Sequence, residues 1–384
     1  MVCGIIAEYN PFHNGHKYQL DLIKKSYEAI VVIMSGSFTQ RGDTAITDKW
    51  SRAKSALVSG ADLVIELPTV YAMNTAERFA FGGISLLDSL GVVDAVSFGS
   101  ECGDISLLKS ASETLISETE EEKEEILRLL KSGKSYAAAR EEAFSDKIPS
   151  EILSSPNNIL AVEYIKHLKL LKSSITPVTH MRVGGGYSSH ELDSSLASAT
   201  AIRENYDRAE IESQMPENVY EIFKNSSKHF LANLDTAAVS FIRSQGPDAL
   251  KNSLECVEGI ENRIYNAAKN LSALAEIENI CCTKRYTRAK IRRIILCSML
   301  SISGDMSRIK PDYARILGAT EKGRQLLSEI KEKSSLTLIT KAADFKGKNI
   351  LFEKDCLATD IWALSSYSGD KKAGMDFTTS PIML

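Results

Sequence analysis

EYNPFHNGHKYQL, Glu8–Leu20, lies between a short apolar run and a stretch with helical spacing. The chain has six histidines, and two of them, His13 and His16, fall here with Asn14 and Gly15 between them. Val2 to Ala7 reads as a buried strand, and apolar residues recur at helical intervals from about Gly15 to Ser26. A strand–loop–helix junction of this kind, in an open α/β sheet, sits at the carboxyl ends of the strands, where ligands bind. The unpaired N–H groups and the dipole of a helix N-terminus favour an anion there. Gly15 lets a backbone come close to a ligand. Two imidazoles can donate to phosphate oxygens and offset charge at a phosphorus undergoing substitution. A zinc site competes with this reading, but it wants more ligands. No His-Glu-x-x-His occurs and Cys3 is the only thiol nearby, so no metal is assigned. Histidines that only cap the loop, and general acid–base catalysis by imidazole, also remain open at this point.

The junction heads a longer alternation. AIVVIM (Ala29 to Met34), DLVIELP (Asp62 to Pro68) and VDAVSFGSE (Val93 to Glu101) read as further strands. Trp50 to Ser59 and Ala76 to Leu90 read as helices. Apolar strands alternating with helices predict a mostly parallel sheet covered on both faces, an α/β Rossmann-like domain. Glu113 to Arg140 reads as one helix with an acidic, solvated start, and a helix is expected from about Asn158. TPVTHMRVGGGY predicts a fifth strand running into a glycine-rich turn, and SSLASATAIREN opens another helix. After about Asn205 the Val-rich runs stop and three long helical patterns follow. A short α+β tail is expected from PDYARILGAT, with a strand at Leu336 to Thr340. The boundary is therefore placed near residue 205, giving domains of 1–205 and 206–384.

Composition narrows the function classes. Of 384 residues, 43% are hydrophobic and 25% charged, which suits a globular protein of two domains. The net charge of −4 advertises no global field for nucleic acid, so any such contact must be a local patch. Seven cysteines without regular spacing, two of them adjacent at Cys281 and Cys282, predict reduced thiols and a cytoplasmic location. MVCGIIAEYNPF lacks a basic leader and is expected to be neither signal peptide nor anchor, and no apolar stretch has membrane-spanning length.

SATAIRE, Ser198 to Glu204, brings a hydroxyl pair and an arginine to a helix start. Ser198 and Thr200 can donate to phosphates and Arg203 can fork onto them. Alone this is a well-capped helix. Joined to the His-x-Gly-His loop it resembles the nucleotidyltransferases carrying that motif, which share a catalytic design with class I aminoacyl-tRNA synthetases and hold ATP while its α-phosphate is attacked. The likeness extends further. EYNPFHNGH, MSGSFTQRGD, DLVIELP, FGSE, SPNNILAVEYI, SATAIR and KRYTRAKIRR occur in this order. Together they resemble the bacterial tRNA(Met) cytidine acetate ligase family, densely to about residue 205 and more loosely beyond.

That resemblance implies a two-step ligase: ATP and acetate give acetyl-AMP, and the acetyl group passes to N4 of the wobble cytidine of elongator tRNA(Met). It implies ATP as substrate, accompanied by Mg2+, no tightly bound cofactor, and a mainly helical tRNA-binding region. The family's ATP loop falls on Ile6, Ala7, Glu8, Tyr9, Asn10, Pro11, Phe12, His13, Asn14, Gly15, His16, Lys17, Tyr18 and Gln19, with His13 and His16 catalytic. Gly99, one of Asn157 and Asn158, and Arg182 match further nucleotide contacts; Ser198, Thr200 and Arg203 follow the wider superfamily pattern. Lys284, Arg285, Arg288 and Arg292 form a basic run, with Tyr286, Lys290 and Arg293, that reads either as a solvated helix face or as tRNA phosphate contacts. Gln40, Arg41, Asp43, Asp48, Lys49 and Arg52 lie in a polar stretch that could hold acetate, pyrophosphate or the target base. Cys102 has no helix start or base beside it and reads as structural. Two other classes compete: a nucleotidyltransferase making an adenylylated metabolite without tRNA, and an RNA-binding protein holding ATP as a structural ligand.

Overall fold

The computed structural model describes residues 1–182, 196–253, 255–367 and 369–384. β1 (Val2–Ala7), β2 (Ala29–Ser35), β3 (Leu63–Leu67), β4 (Ala95–Ser100) and β5 (Thr176–Met181) form a parallel sheet in the order β5-β4-β1-β2-β3. Between β1 and β4 the strand order reverses, and a crevice opens beyond the carboxyl ends of the strands. Period-2 alternation serves two buried faces at once. Val31 and Ile33 of β2 join one apolar cluster; Ile30, Val32 and Met34 join another. A strand buried on both sides must be apolar throughout, which is why AIVVIM shows no polar alternation.

The helix α1 (Asn14–Lys24) returns the chain from β1 to β2 and buries Leu20 and Ile23. α2 (Lys49–Val58), capped by Asp48, whose side chain accepts from the Ser51 N–H at 2.8 Å, packs Trp50, Ala53 and Ala56 on the same face. The acidic stretch is three helices rather than one: Ile105–Ile116, Glu120–Lys131 and Tyr136–Ala143. Thr119 and Glu122 form a capping box that starts the second, and Ser135 caps the third beyond Gly133, whose φ is +95°.

Beyond residue 205 the chain builds a helical core of its own and also returns to the sheet. The helices Asp235–Gln245, Ile260–Asn270, Leu274–Cys281 and Arg288–Met299 bury Ile242, Ile264, Ile277 and Ile291 among themselves. β6 (Tyr313–Ala319) then pairs antiparallel with β3, and β7 (Thr337–Ile339) and β8 (Ile382–Met383) pair parallel with β6. The expected strand at Leu336 to Thr340 is β7. The sheet is therefore mixed, mostly parallel, with eight strands among the described residues.

Candidate active site

The crevice holds a cavity of about 720 Å³. Its floor is the loop after β1, and two arginines shape that loop. Arg52, fully buried, donates through Nη1 to Glu8 O (2.8 Å) and Ser35 O (2.9 Å) and through Nη2 to Gly36 O. It satisfies carbonyls at the ends of β1 and β2, so its role is to join strand ends and not to meet a ligand. Arg203 reaches over from the helix Ala199–Glu204 and donates to Asn10 O (2.6 Å) and Thr200 Oγ1 (3.2 Å). Asn10 Oδ1 accepts from the Ile46 N–H at 2.7 Å. Tyr9 occupies a left-handed conformation (φ 47°), uncommon for an aromatic residue. Its ring lies edge-on to Phe12 and His16, at 4.9 and 4.8 Å between centroids, which holds the turn in place.

The two histidines cap α1 reciprocally. His13 Nδ1 accepts from the Gly15 N–H (3.0 Å), and His16 Nδ1 accepts from the His13 N–H (3.2 Å). A ring nitrogen that accepts carries no proton, so each neutral imidazole bears its hydrogen on Nε2. The rings lie 3.8 Å apart between centroids. Burial, then Arg182 and Arg203, pushes the His13 pKa down to about 3. Burial, His13 and Arg182 hold His16 well below the usual histidine range. Both are therefore neutral donors. A Cβ on Gly15 would lie 2.9 Å from His13 Cε1, so the cap geometry itself calls for glycine. Burial also raises Glu8, against the lowering effect of the Gln40 N–H on its Oε1 (2.7 Å) and of Arg203, Arg41 and Arg52.

Of the expected ATP loop, Ile6, Ala7, Glu8, Tyr9, Asn10, His13, Gly15, His16, Tyr18 and Gln19 line the cavity. Pro11, Phe12, Asn14 and Lys17 do not: Phe12 packs inward, Asn14 donates to Ser213 O (2.8 Å), and Lys17 pairs with Asp21. Gly99 lines the β4 side, where a Cβ would lie 2.8 Å from Arg182 Cγ and 3.2 Å from His180 Nε2. The two asparagines separate clearly. Asn157 lines the cavity, donates to Glu101 Oε1 (2.7 Å) and accepts from Arg182 Nη1 (3.4 Å). Asn158 is buried, its Oδ1 taken by the N–H groups of Glu101 and Cys102 and its Nδ2 by Glu151 O. Ser198, Thr200 and Arg203 all line the cavity, with Ser198 also capping its helix through the Ala201 N–H (3.1 Å). The glycine-rich segment after Arg182 lies outside the described residues.

Residues 1–376 match the family model described as HIGH Nucleotidyl Transferase. A protein of Thermoanaerobacter sp. (strain X514) named tRNA(Met) cytidine acetate ligase is 42% identical, with 98% of each chain covered. Its namesake from Clostridium perfringens (strain ATCC 13124) is 40% identical over 100% of this chain and 99% of its own. The crystal structure of Thermotoga maritima TmcAL bound with alpha-thio ATP superposes with a TM-score of 0.91 at 33% identity, covering 100% of this chain and 99% of that one.

The chain belongs to the tRNA(Met) cytidine acetate ligase family.

Against this family background the basic run divides. Lys284 and Arg288 are exposed, and Arg285 pairs with Glu258. Arg292 is different: Nε and Nη2 clasp the buried Glu278 carboxylate (2.7 and 2.8 Å), and the residue lines the cavity beside Asp43. Arg293 clasps Glu255 and donates to Gln40 O (3.1 Å). Tyr286 is buried with its hydroxyl on Val257 O (2.6 Å), so it offers no stacking face to a base. Helical spacing could place these residues on faces but could not reveal the carboxylates facing them. The polar stretch after β2 also splits. Gln40, Arg41 and Asp43 line the cavity, whereas Asp48 caps α2 and Lys49 is buried between Glu66 (2.8 Å) and Asp376 (2.9 Å). Cys102 stands by the turn after β4, its thiol 3.9 Å from Ser100 Oγ. Sequence reading missed His229, Phe230 and Tyr206, which wall the β2 side of the cavity; SSKHFLANL carries no motif that marks them.

Proposed function

We propose that this chain is a tRNA(Met) cytidine acetate ligase that forms acetyl-AMP from acetate and ATP and then acetylates N4 of the wobble cytidine of elongator tRNA(Met), yielding N4-acetylcytidine. The observation that carries the reading is the pair of imidazoles at the α1 N-terminus, each fixed as an Nε2–H donor beside Arg182 and Arg203. Membership of the family supplies the substrates.

Free acetate is a poor acyl donor, and the exocyclic amine of cytosine is a poor nucleophile because its lone pair is conjugated with the ring. A mixed anhydride with AMP solves the first difficulty. An acetate oxygen attacks the α-phosphorus of ATP, which enters with Mg2+, and the bond to pyrophosphate breaks. The α1 N-terminus with His13 and His16 stabilises the negative charge gathering on the phosphates. Preorganised neutral donors suit this step: they need no reorientation as charge develops, and the incoming anion opposes the forces that keep the rings unprotonated. Gly99 and Asn157 flank the nucleoside, with Arg182, Ser198, Thr200 and Arg203 over its phosphates. The helical region beyond residue 205, with Lys284, Arg285 and Arg288 on its surface, meets tRNA phosphates. Among the described residues no helix is long and apolar enough to cross a membrane, and a cytoplasmic site is where all three substrates meet.

The test is acetylation of tRNA(Met) by the purified protein with acetate and ATP, against acetyl-CoA alone. Acetate and ATP are expected to give N4-acetylcytidine with AMP and pyrophosphate; product formed from acetyl-CoA without ATP would refute the reading.

A further inference from the structure

His229 sits in the cavity wall because its strand-like segment lies against the loop after β2. The His229 N–H donates to Ile46 O (3.0 Å), and Thr44 Oγ1 donates to His229 O (3.5 Å). Its ring stacks on Trp362, centroids 3.5 Å apart and planes at 13°, and Trp362 is itself fixed by its indole N–H on Ala45 O (2.7 Å). His229 Nδ1 lies 3.2 Å from Trp362 O. A carbonyl oxygen only accepts, so Nδ1 carries the hydrogen and the lone pair of the neutral ring is on Nε2. Ser365 Oγ, also 3.2 Å from Nδ1, donates its own hydrogen to Trp362 O at 2.6 Å. Among the described residues no hydrogen bond reaches Nε2, and it is not among the sealed, unpartnered atoms of the core. This tautomer is the opposite of that in His13 and His16. The cavity thus holds imidazole donors at His13 and His16 and an imidazole acceptor at His229.

Strand order separates them. Gly99, His180 and Arg182 belong to the β4–β5 side of the histidine loop, and Thr39 to Ile46 and His229 to the β2 side. There, Phe230 and Tyr206 stand with ring centroids 4.9 Å apart, and Gln40 and Asp43 line the same end. An aromatic wall with a polar edge is what a single unstacked base requires.

We propose that the β2 end of the cavity receives the acceptor cytosine and that His229 Nε2 takes the proton from its N4 as the amide forms. This rests on the ligase reading above. The N4 lone pair attacks the acetyl carbonyl carbon of acetyl-AMP and a C–N bond forms. The N4 proton passes to His229 Nε2, the carbonyl re-forms, and the bond from the acetyl carbon to the phosphate oxygen breaks, its electron pair leaving with AMP. The imidazolium then returns its proton to water. Burial holds the His229 pKa down to about 4, against the Trp362 carbonyl and Asp48, which raise it, and with Lys228, which lowers it further. The ring is therefore unprotonated at neutral pH, and a weak base is sufficient because N4 in the tetrahedral adduct is far more acidic than in the free amine. Of the carboxylates that line the cavity, Asp43 accepts from the Thr44 N–H through Oδ1 (2.9 Å) and Glu8 from the Gln40 N–H through Oε1 (2.7 Å).

The experiment compares wild type with His229→Gln, His229→Gly and Phe230→Ala in two assays: acetate-dependent ATP–pyrophosphate exchange, and single-turnover acetyl transfer to tRNA(Met) from enzyme-bound acetyl-AMP. Exchange in the His229 variants is expected within about threefold of wild type, and transfer about a hundredfold or more lower. Added imidazole should restore transfer in His229→Gly but not in Phe230→Ala, whose transfer should fall about tenfold through weaker stacking. Exchange falling in parallel with transfer, transfer unaffected by His229→Gln, or no imidazole rescue would each overturn the assignment. Absence of acetyl-AMP in the wild type would instead remove the ligase reading, and the inference with it.

Discussion

Replacing His13 by Asn should separate two roles that one ring performs. Asparagine is a good helix cap, so the acceptor for the Gly15 N–H is kept. The Nε2–H donor and the titratable ring are both lost. His13 has an ordinary value of 6.5 when exposed and about 3 in the folded chain. Its folded pKa is depressed, so the unfolded state binds the proton more tightly. The associated stability is fully present above about pH 6.5 and drains away as pH falls towards about 3. At pH 5 this linkage amounts to about 2 kcal/mol for His13 alone. Urea denaturation should therefore find the variant about as stable as wild type at pH 8 and more stable by about 2 kcal/mol at pH 5. Acetate-dependent pyrophosphate exchange at pH 8 should nonetheless fall by about a hundredfold or more, the usual consequence of losing one preorganised donor. Equal acid sensitivity in the two proteins would refute the buried neutral imidazole, and near-normal exchange would refute its role on the phosphates.

Reversing charge at Lys284 and Arg288 should weaken tRNA binding and flatten its log–log salt dependence by roughly 0.7–0.9 for each phosphate no longer neutralised; unchanged affinity in filter binding would make the run a solvated face. Arg292 is unsuitable for that test because its loss would strand the buried Glu278. Lys49→Met should destabilise the fold by about 3–5 kcal/mol in urea titration by removing the ammonium that bridges buried Glu66 and Asp376, with only Arg315, 3.8 Å from Asp376, left beside them; a neutral effect would contradict a charged cluster there. Heavy-oxygen acetate supplied with ATP and tRNA(Met) should yield labelled AMP and unlabelled pyrophosphate by mass spectrometry; label in inorganic phosphate together with ADP would mean attack on the γ-phosphorus.

The first five strands and their helices were legible because a doubly covered parallel sheet writes itself into local sequence. β1 to β4 are short apolar runs joined by helices, and β5, TPVTHM, is a half-exposed edge strand marked by Thr and Val ahead of the turn at Arg182. The histidine loop and Ser198–Arg203 were legible for a related reason: their chemistry is carried by neighbours in sequence. What pairs across long separations was not. PDYARILGAT marks the strand β6, but nothing in it states that β6 lies antiparallel beside β3. Arg292 reads as one of several basic residues until Glu278 and Asp43 are placed around it. His229 is an ordinary histidine until Trp362 fixes its tautomer. The expected single acidic helix failed on capping: Thr119 with Glu122, and Ser135, offer side-chain partners that end one helix and begin the next.

The antiparallel return of β6 has a consequence for synthesis on the ribosome. When residues 1–205 have emerged, the catalytic motifs are complete as text, yet β3 is still a bare sheet edge. Lys49 still lacks Asp376, and the cavity lacks the wall that His229, Phe230 and Arg292 provide. A half-made chain is thus expected neither to hold ATP firmly nor to release acetyl-AMP into the cell. A fragment ending at residue 205 should aggregate through its open edge, while the same fragment supplied with residues 206–384 as a separate chain should regain solubility. Activity is therefore expected only once the last strands have joined the sheet, and a truncated product is expected to be silent.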